Sequence, residues 1–221
     1  MATDEKAASV TRSARAQLLR GIYFILNEGD RDGTDVAARV LDAGVRVIQY
    51  RAKGVIVPEH VRALRKLTER RGALLIVNDD WQAAVALDCD GVHVGPGDAG
   101  FDDIASLRAW MGPDRIIGVS CGSVAEAARI DDAHAVDYAG VGAVYATNSK
   151  ADAGEPIGIA GLAQIARAVS LPVAAIGGID LSRLPAILET GVAMAAVISA
   201  ISSAPDPGAA AAELTRAWSR A

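Results

Sequence analysis

The sequence predicts an α/β protein built as a single (β/α)8 barrel, and three observations point there. Eight short apolar runs suited to buried strands alternate with eight helical patterns, with no linker or compositional break between them. The chain's 221 residues match one such barrel, which spans about 200–250 residues as a single domain. Aromatics make up 4% of the residues against 51% hydrophobic, so the core is built from Ala, Val, Ile and Leu, the material of buried parallel strands and close-packed helices. A doubly wound open sheet is the competing architecture, but no G-x-G-x-x-G follows the first strand.

In chain order, residues 1–17 are polar and rich in Ala, Ser and Thr, and read as a flexible N-terminal tail or a fraying helix. Residues 18–221 form the barrel. Gly21 to Leu26 is the first compact apolar run, followed by a helix over Asp32 to Ala43 that stops at Gly44. Val45 to Gln49 is the second strand, and Pro58 opens a helix whose apolar stripe is Val61, Leu64 and Leu67. The third strand, Ala73 to Val77, precedes a short helix over Trp81 to Leu87. The fourth, Gly91 to Val94, precedes one over Phe101 to Met111. Arg115 to Ser120 is the fifth strand with a helix over Val124 to Ala133, and Val136 to Val141 the sixth with a helix over Ile159 to Val169. Pro172 to Gly178 and Leu184 to Glu189 form the seventh pair, and Val192 to Ser199 and Gly208 to Trp218 the eighth.

Composition excludes some functions. The net charge of -5 leaves no general basic surface for nucleic acid, so any phosphate binding is local. No run of about 18 apolar residues occurs, and the first residues lack the apolar core of a signal peptide. A soluble cytoplasmic protein with no membrane partner is expected. Cys89 and Cys121 are far apart, show no metal-ligand spacing and suit reduced thiols. Nothing in the sequence opposes a homo-oligomer.

A barrel of this kind carries its site at the C-terminal ends of the strands, and the chain's unusual polar residues fall there. Gln49, Arg51 and Lys53 follow the second strand at i, i+2 and i+4, a spacing that points them the same way on an extended backbone. Arginine offers a planar fork for phosphate oxygens and lysine a compact charge. Asn78-Asp79-Asp80 follows the third strand, and His93, Gly95 and Asp98 the fourth. Carboxylates from neighbouring strands can share a hard cation such as Mg²⁺. Equally, Asp79 or Asp80 can cap the Trp81 helix and Asp98 the Phe101 helix. His93, between Val92 and Val94, reads as a packed core histidine.

Ser120, Cys121 and Gly122 open onto a helix where a hydroxyl or backbone N–H groups can meet an anion. Ser123 as a plain cap is the competing reading of that turn. The sixth strand runs into Thr147, Asn148, Ser149 and Lys150, two alternating hydroxyls beside a cation, although a solvated loop looks alike. Gly177-Gly178 after the seventh strand and Ile198-Ser199 after the eighth fall at the recurrent phosphate site of these barrels, with a plain tight turn as the competing reading of the two glycines. Two anionic subsites in one mouth suit two phosphorylated substrates and group transfer, with residues 151–158 placed as a flap over them.

At these residues the chain resembles thiamine-phosphate synthase, through QYRAK, NDD, DGVHVGPGD, GVS, DYAGVGAVYATNSK, AIGGI and AVISAI, in order from Tyr23 to Ser202. The resemblance implies a transferase that joins hydroxymethylpyrimidine pyrophosphate to thiazole phosphate, giving thiamine phosphate and pyrophosphate with Mg²⁺. It assigns Gln49, Tyr50, Arg51, Ala52, Lys53 and Asn78 to the pyrimidine pyrophosphate, and Asp79 and Asp98 to Mg²⁺. Ser120 and Lys150 would contact pyrophosphate, with Arg51 and Lys53 completing the catalytic set. Thr147, Asn148, Ser149, Gly178, Ile198 and Ser199 would hold the thiazole phosphate.

The chain departs from the family pattern at Pro96-Gly97, where glutamine is usual, which bears on how Asp98 is presented. Ser149 replaces the commoner threonine, and Asn27-Glu28 replaces Thr-Asp. The competing readings are a thiazole tautomerase, for which His93 is the available histidine, and a non-catalytic barrel that binds a phosphorylated metabolite.

Overall fold

The structure, a computed structural model, describes residues 10–30, 32–132, 134–147 and 155–220. Eight parallel strands close into one barrel in sequence order: β1 (Gly21–Asn27), β2 (Val47–Arg51), β3 (Leu74–Asn78), β4 (Gly91–Val94), β5 (Ile116–Cys121), β6 (Tyr138–Val141), β7 (Val173–Ile176) and β8 (Met194–Val197). The ring closes where Gly21 of β1 pairs with Met194 of β8. The predicted fold class and strand order are those observed.

Residues alternate between two cores because successive side chains on a strand face opposite ways. Tyr23, Ile25, Val47, Leu74, Ile76, Ile116, Tyr138, Ala174, Met194 and Ala196 fill the barrel interior, joined by Leu19. Ile22, Phe24, Leu26, Ile48, Leu75, Val77, Ile117, Val119 and Ala139 face the surrounding helices. Those helices are α2 (Gly33–Asp42), α3 (Pro58–Arg70), α4 (Trp81–Ala86), α5 (Ile104–Met111), α6 (Val124–Asp132), α7 (Gly158–Ala168), α8 (Leu184–Leu188) and α10 (Pro207–Ser219).

Capping explains several of their boundaries. Asp80, Asp103 and Asp206 each accept a backbone N–H three residues on, from Ala83, Ser106 and Ala209. The α5 helix therefore starts at Ile104, later than its apolar pattern suggests. Ser123 and Glu126 form a reciprocal cap on α6: Ser123 Oγ accepts from Glu126 N at 3.2 Å, and Glu126 Oε2 accepts from Gly122 N at 2.8 Å.

Two short helices had no clear apolar signature. One is α1 (Arg12–Ala16), inside the stretch read as a tail or a fraying helix. Its Arg12 Nε meets Asp137 Oδ1 at 2.5 Å, and its Arg15 Nε meets Asp90 Oδ1 at 3.0 Å. The other, α9 (Ser199–Ser202), begins where the eighth strand was expected to run on to Ser199, because Ile198 at φ -118° and ψ -87° turns the chain. Among the described residues, no helix is long and apolar enough to cross a membrane.

Candidate active site

The C-terminal mouth of the barrel holds a cavity of about 490 Å³. Its lining includes Gln49, Arg51, Asn78, Asp79, Asp98, Ser120, Thr147 and Ile198, contributed from six strand ends. The structure therefore brings eight of the thirteen sequence-predicted site residues that it describes into one space. Gly177 lines it as well, with Gly178 and Ser199 immediately beyond the lining residues. Asn148, Ser149 and Lys150, and residues 151–154 of the expected flap, lie outside the described residues.

Around β2 the period-two argument holds only as far as the strand. Gln49 points into the barrel and is 3% exposed, and Arg51 lines the cavity, its Nη1 donating to Asn27 Oδ1 at 3.4 Å. The strand ends there, so alternation does not extend to Lys53, which is exposed and outside the lining. Tyr50 takes the opposite face, packs in the outer core and donates its hydroxyl to Glu28. Ala52 packs against that same outer core.

The two aspartates are not the helix caps. Asp80 caps α4, while Asp79, at φ 66°, turns its backbone away and donates its N–H to His93 O at 2.8 Å. Aspartate is among the few residues that tolerate this left-handed geometry. Asp98 lies five residues before the α5 cap, Asp103. Pro96-Gly97 makes the turn that presents it: Asp98 N donates to Gly95 O at 3.1 Å across a proline followed by a glycine at φ 89°, the type II pattern. Asp98 Oδ2 accepts from Gly95 N at 2.7 Å, which fixes the carboxylate at the cavity.

The oxygen-only set of Asp79 and Asp98 suits a cation that keeps waters and substrate phosphates among its ligands, as Mg²⁺ does. Among the described residues, no group of three or more His, Cys, Asp or Glu side chains is placed to hold a metal.

Sequence reasoning missed the floor of the cavity. Gln49 Nε2 donates to Tyr23 Oη at 2.7 Å, Tyr23 Oη lies 2.8 Å from Tyr138 Oη, and Tyr138 Oη lies 3.0 Å from His93 Nδ1. His93 Nε2 is 3.0 Å from Ser120 Oγ. His93 is thus no isolated core residue: its ring stacks on Tyr138 at 5.4 Å and faces the cavity. The overlooked signal is glycine opposite bulk. A Cβ on Gly118 would lie 2.1 Å from Tyr138 Cζ, and one on Gly140 2.7 Å from His93 Cε1. Burial raises the hydroxyl pKa of both Tyr23 and Tyr138, so each keeps its proton.

Glu126 and Glu155 also line the mouth. Cys121 lines it too, but is 5% exposed, and burial together with the Glu126 carboxylate pushes its thiol up to about 12. Cys89 is pushed up to about 12 chiefly by burial. A thiol with that pKa is neutral and unreactive at neutral pH. Ellman's reagent is therefore expected to label neither cysteine in the folded protein and both after unfolding; rapid labelling of the native state would contradict this.

The loops after β6 and β7 are laced together: Val144 N donates to Ile176 O at 2.8 Å and Tyr145 N to Gly177 O at 3.0 Å. Gly177, at φ 105°, leaves no room for a side chain, since a Cβ would lie 2.7 Å from Ala143 Cα. Arg183 crosses the Tyr145 ring at 4.6 Å and donates to Gly178 O, holding the second glycine in place.

This architecture has close relatives. A thiamine-phosphate synthase of Roseiflexus sp. (strain RS-1) is 45% identical over 199 residues, covering 86% of this chain and 82% of that protein. One from Archaeoglobus fulgidus is 45% identical over 197 residues, covering 87% and 90%. The solved thiamine phosphate pyrophosphorylase of Pyrococcus furiosus superposes with a TM-score of 0.82 at 33% identity, over 92% of this chain and 98% of that one. The family model described as thiamine monophosphate synthase matches residues 22–201, from β1 to α9, so the chain belongs to the thiamine monophosphate synthase family.

Proposed function

We propose that the protein is a thiamine-phosphate synthase that joins a hydroxymethylpyrimidine pyrophosphate to a thiazole phosphate, releasing pyrophosphate. The observation that carries this reading is one cavity lined by Arg51, Asn78, Asp79, Asp98 and Ser120 from the ends of β2 to β5 and by Thr147, Gly177 and Ile198 from the ends of β6 to β8. The first group is apt for a pyrophosphate and the second for a monophosphate.

Arg51 and Ser120 bind and orient the pyrophosphate, with Lys53 and Lys150 as the remaining cations of the catalytic set. Asp79 and Asp98 would hold Mg²⁺, which would supply positive charge against the departing pyrophosphate. Thr147, Asn148, Ser149 and the backbone at Gly178, Ile198 and Ser199 hold the thiazole phosphate. Gln49 and Asn78 seat the pyrimidine, whose electron-rich amino ring stabilises the methylene cation as the C–O bond to pyrophosphate breaks. The thiazole nitrogen then attacks that carbon. No protein nucleophile is required, in keeping with the high pKa of Cys121. The protein's contribution is orientation and electrostatics.

The test is thiamine phosphate formation from the two substrates before and after removal of divalent cations with EDTA. The expected result is loss of turnover on chelation and its return with Mg²⁺. Full turnover in the metal-free protein would remove the role given to Asp79 and Asp98.

A further inference from the structure

We infer that Glu28, just beyond β1, is a positioning residue for the cationic end of β2 and for the connection that carries Lys53. Asn27-Glu28 stands where the family pattern has Thr-Asp, and the proposed chemistry leaves it without a role. A set of hydrogen bonds runs from this pair to the neighbouring strand end. Glu28 N donates to Arg51 O at 2.7 Å, and Asn27 Oδ1 accepts from Arg51 Nη1 at 3.4 Å. The Glu28 carboxylate accepts the Tyr50 hydroxyl on Oε2, and its Oε1 lies 2.9 Å from His60 Nδ1 in the first turn of α3. Tyr50 Oη in turn accepts from Val57 N at 3.3 Å.

Burial opposes a charge on Glu28, but the hydrogen bonds from Tyr50 and His60 hold its carboxyl below the usual pKa, so at neutral pH it can only accept. Tyr50 therefore gives its one hydrogen to Glu28 and keeps a lone pair for Val57 N, while His60 donates from Nδ1. Both ends of the β2–α3 connection, Tyr50-Arg51 before it and Val57 to His60 after it, are tied to one carboxylate. Between them Lys53, Gly54 and Val55 are exposed, so the anchors at either end do most to hold them. Neighbours on a strand face opposite ways, so fixing Tyr50 on the outer face keeps Arg51 toward the cavity. This inference rests on the proposed function for the anion that Arg51 and Lys53 meet, but the anchoring is read without turnover.

The experiment uses the full-length protein, with calorimetric binding of inorganic pyrophosphate and Mg²⁺ read beside the KM of each substrate. Glu28→Ala is expected to weaken pyrophosphate binding, and to raise the KM for the pyrimidine pyrophosphate, about tenfold, because the binding-competent β2 end is then populated only about a tenth of the time. The KM for the thiazole phosphate is expected to stay at the wild-type value. Glu28→Gln keeps the length and an oxygen for the Tyr50 hydroxyl, and is expected to restore most of the affinity. His60→Ala removes one tie and is expected to weaken pyrophosphate binding about threefold. Its side chain is 56% exposed, so this variant carries the test if Glu28→Ala does not fold.

Wild-type pyrophosphate affinity in Glu28→Ala, or in His60→Ala where the first does not fold, would overturn the inference. So would a loss shared equally by the thiazole phosphate, which marks a merely structural role. Weaker pyrophosphate binding in a protein that never forms thiamine phosphate would uphold the anchoring and remove the synthase reading. Thiamine phosphate formed by variants that all bind pyrophosphate as the wild type does would remove the anchoring and leave the synthase reading intact.

Discussion

Asp98→Ala is expected to lower the rate of thiamine phosphate formation by about a hundred- to a thousandfold, the scale of removing one preorganised electrostatic group from a transition state. The carboxylate has two tasks, and a second substitution separates them. It closes the Gly95-Pro96-Gly97-Asp98 turn by accepting from Gly95 N at 2.7 Å, and it stands at the cavity where a cation is proposed. Asp98→Asn keeps an oxygen for Gly95 N but loses the charge. If metal binding is the main task, both variants lose activity alike, and the Asn variant keeps the wild-type melting temperature. A fully active Asp98→Asn would leave Asp98 with the turn alone. Steady-state kinetics at saturating Mg²⁺ and a thermal melt decide between these outcomes.

Asp137→Ala is expected to destabilise the fold by about 3–5 kcal/mol, the cost of leaving buried charges without their partner. Asp137 is 7% exposed. It receives Arg12 Nε at 2.5 Å, Arg108 Nη2 at 2.8 Å and Ile117 N at 2.8 Å, and so ties α1 and α5 to the fifth strand. For a chain of this size such a loss lowers the melting temperature by roughly 10 °C. The control is Asp42→Ala, which removes an exposed partner of Arg71 at 2.7 Å and should leave the melt unchanged, because water already solvates both charges. Equal shifts for the two variants, read by calorimetry, would show that burial is not what gives the Asp137 cluster its weight.

Much of this was legible from residues alone. Eight apolar runs spaced by helical patterns suffice to specify a closed barrel, because parallel strands need crossovers and each strand is buried on both faces. Arg51, Asn78, Asp79, Asp98, Ser120 and Thr147 could be placed at the cavity from sequence because polar residues just beyond apolar runs tend to face the barrel mouth.

Lys53 shows where that logic ends. The two-residue period belongs to the strand and stops with it at Arg51. Asp79 and Asp80 could not be sorted in advance, since which of two adjacent aspartates caps a helix depends on a backbone angle, here the positive φ of Asp79. The Tyr23–Tyr138–His93 floor was hidden because aromatic residues inside strands read as core. Only the paired register shows that Gly118 lies opposite both His93 and Tyr138 and so clears space beside them. A helix near α1 was one of the two readings of residues 1–17, but its anchoring was unreadable because the partners are long-range: Arg12 and Arg15 find their carboxylates 125 and 75 residues away.

The most direct test of the central claim follows pyrophosphate and thiamine phosphate together in one reaction of the intact protein with Mg²⁺. The prediction is equal amounts of the two products, both dependent on the pyrimidine pyrophosphate and the thiazole phosphate being present together. Pyrophosphate released without thiamine phosphate, or neither product under any condition, would contradict it.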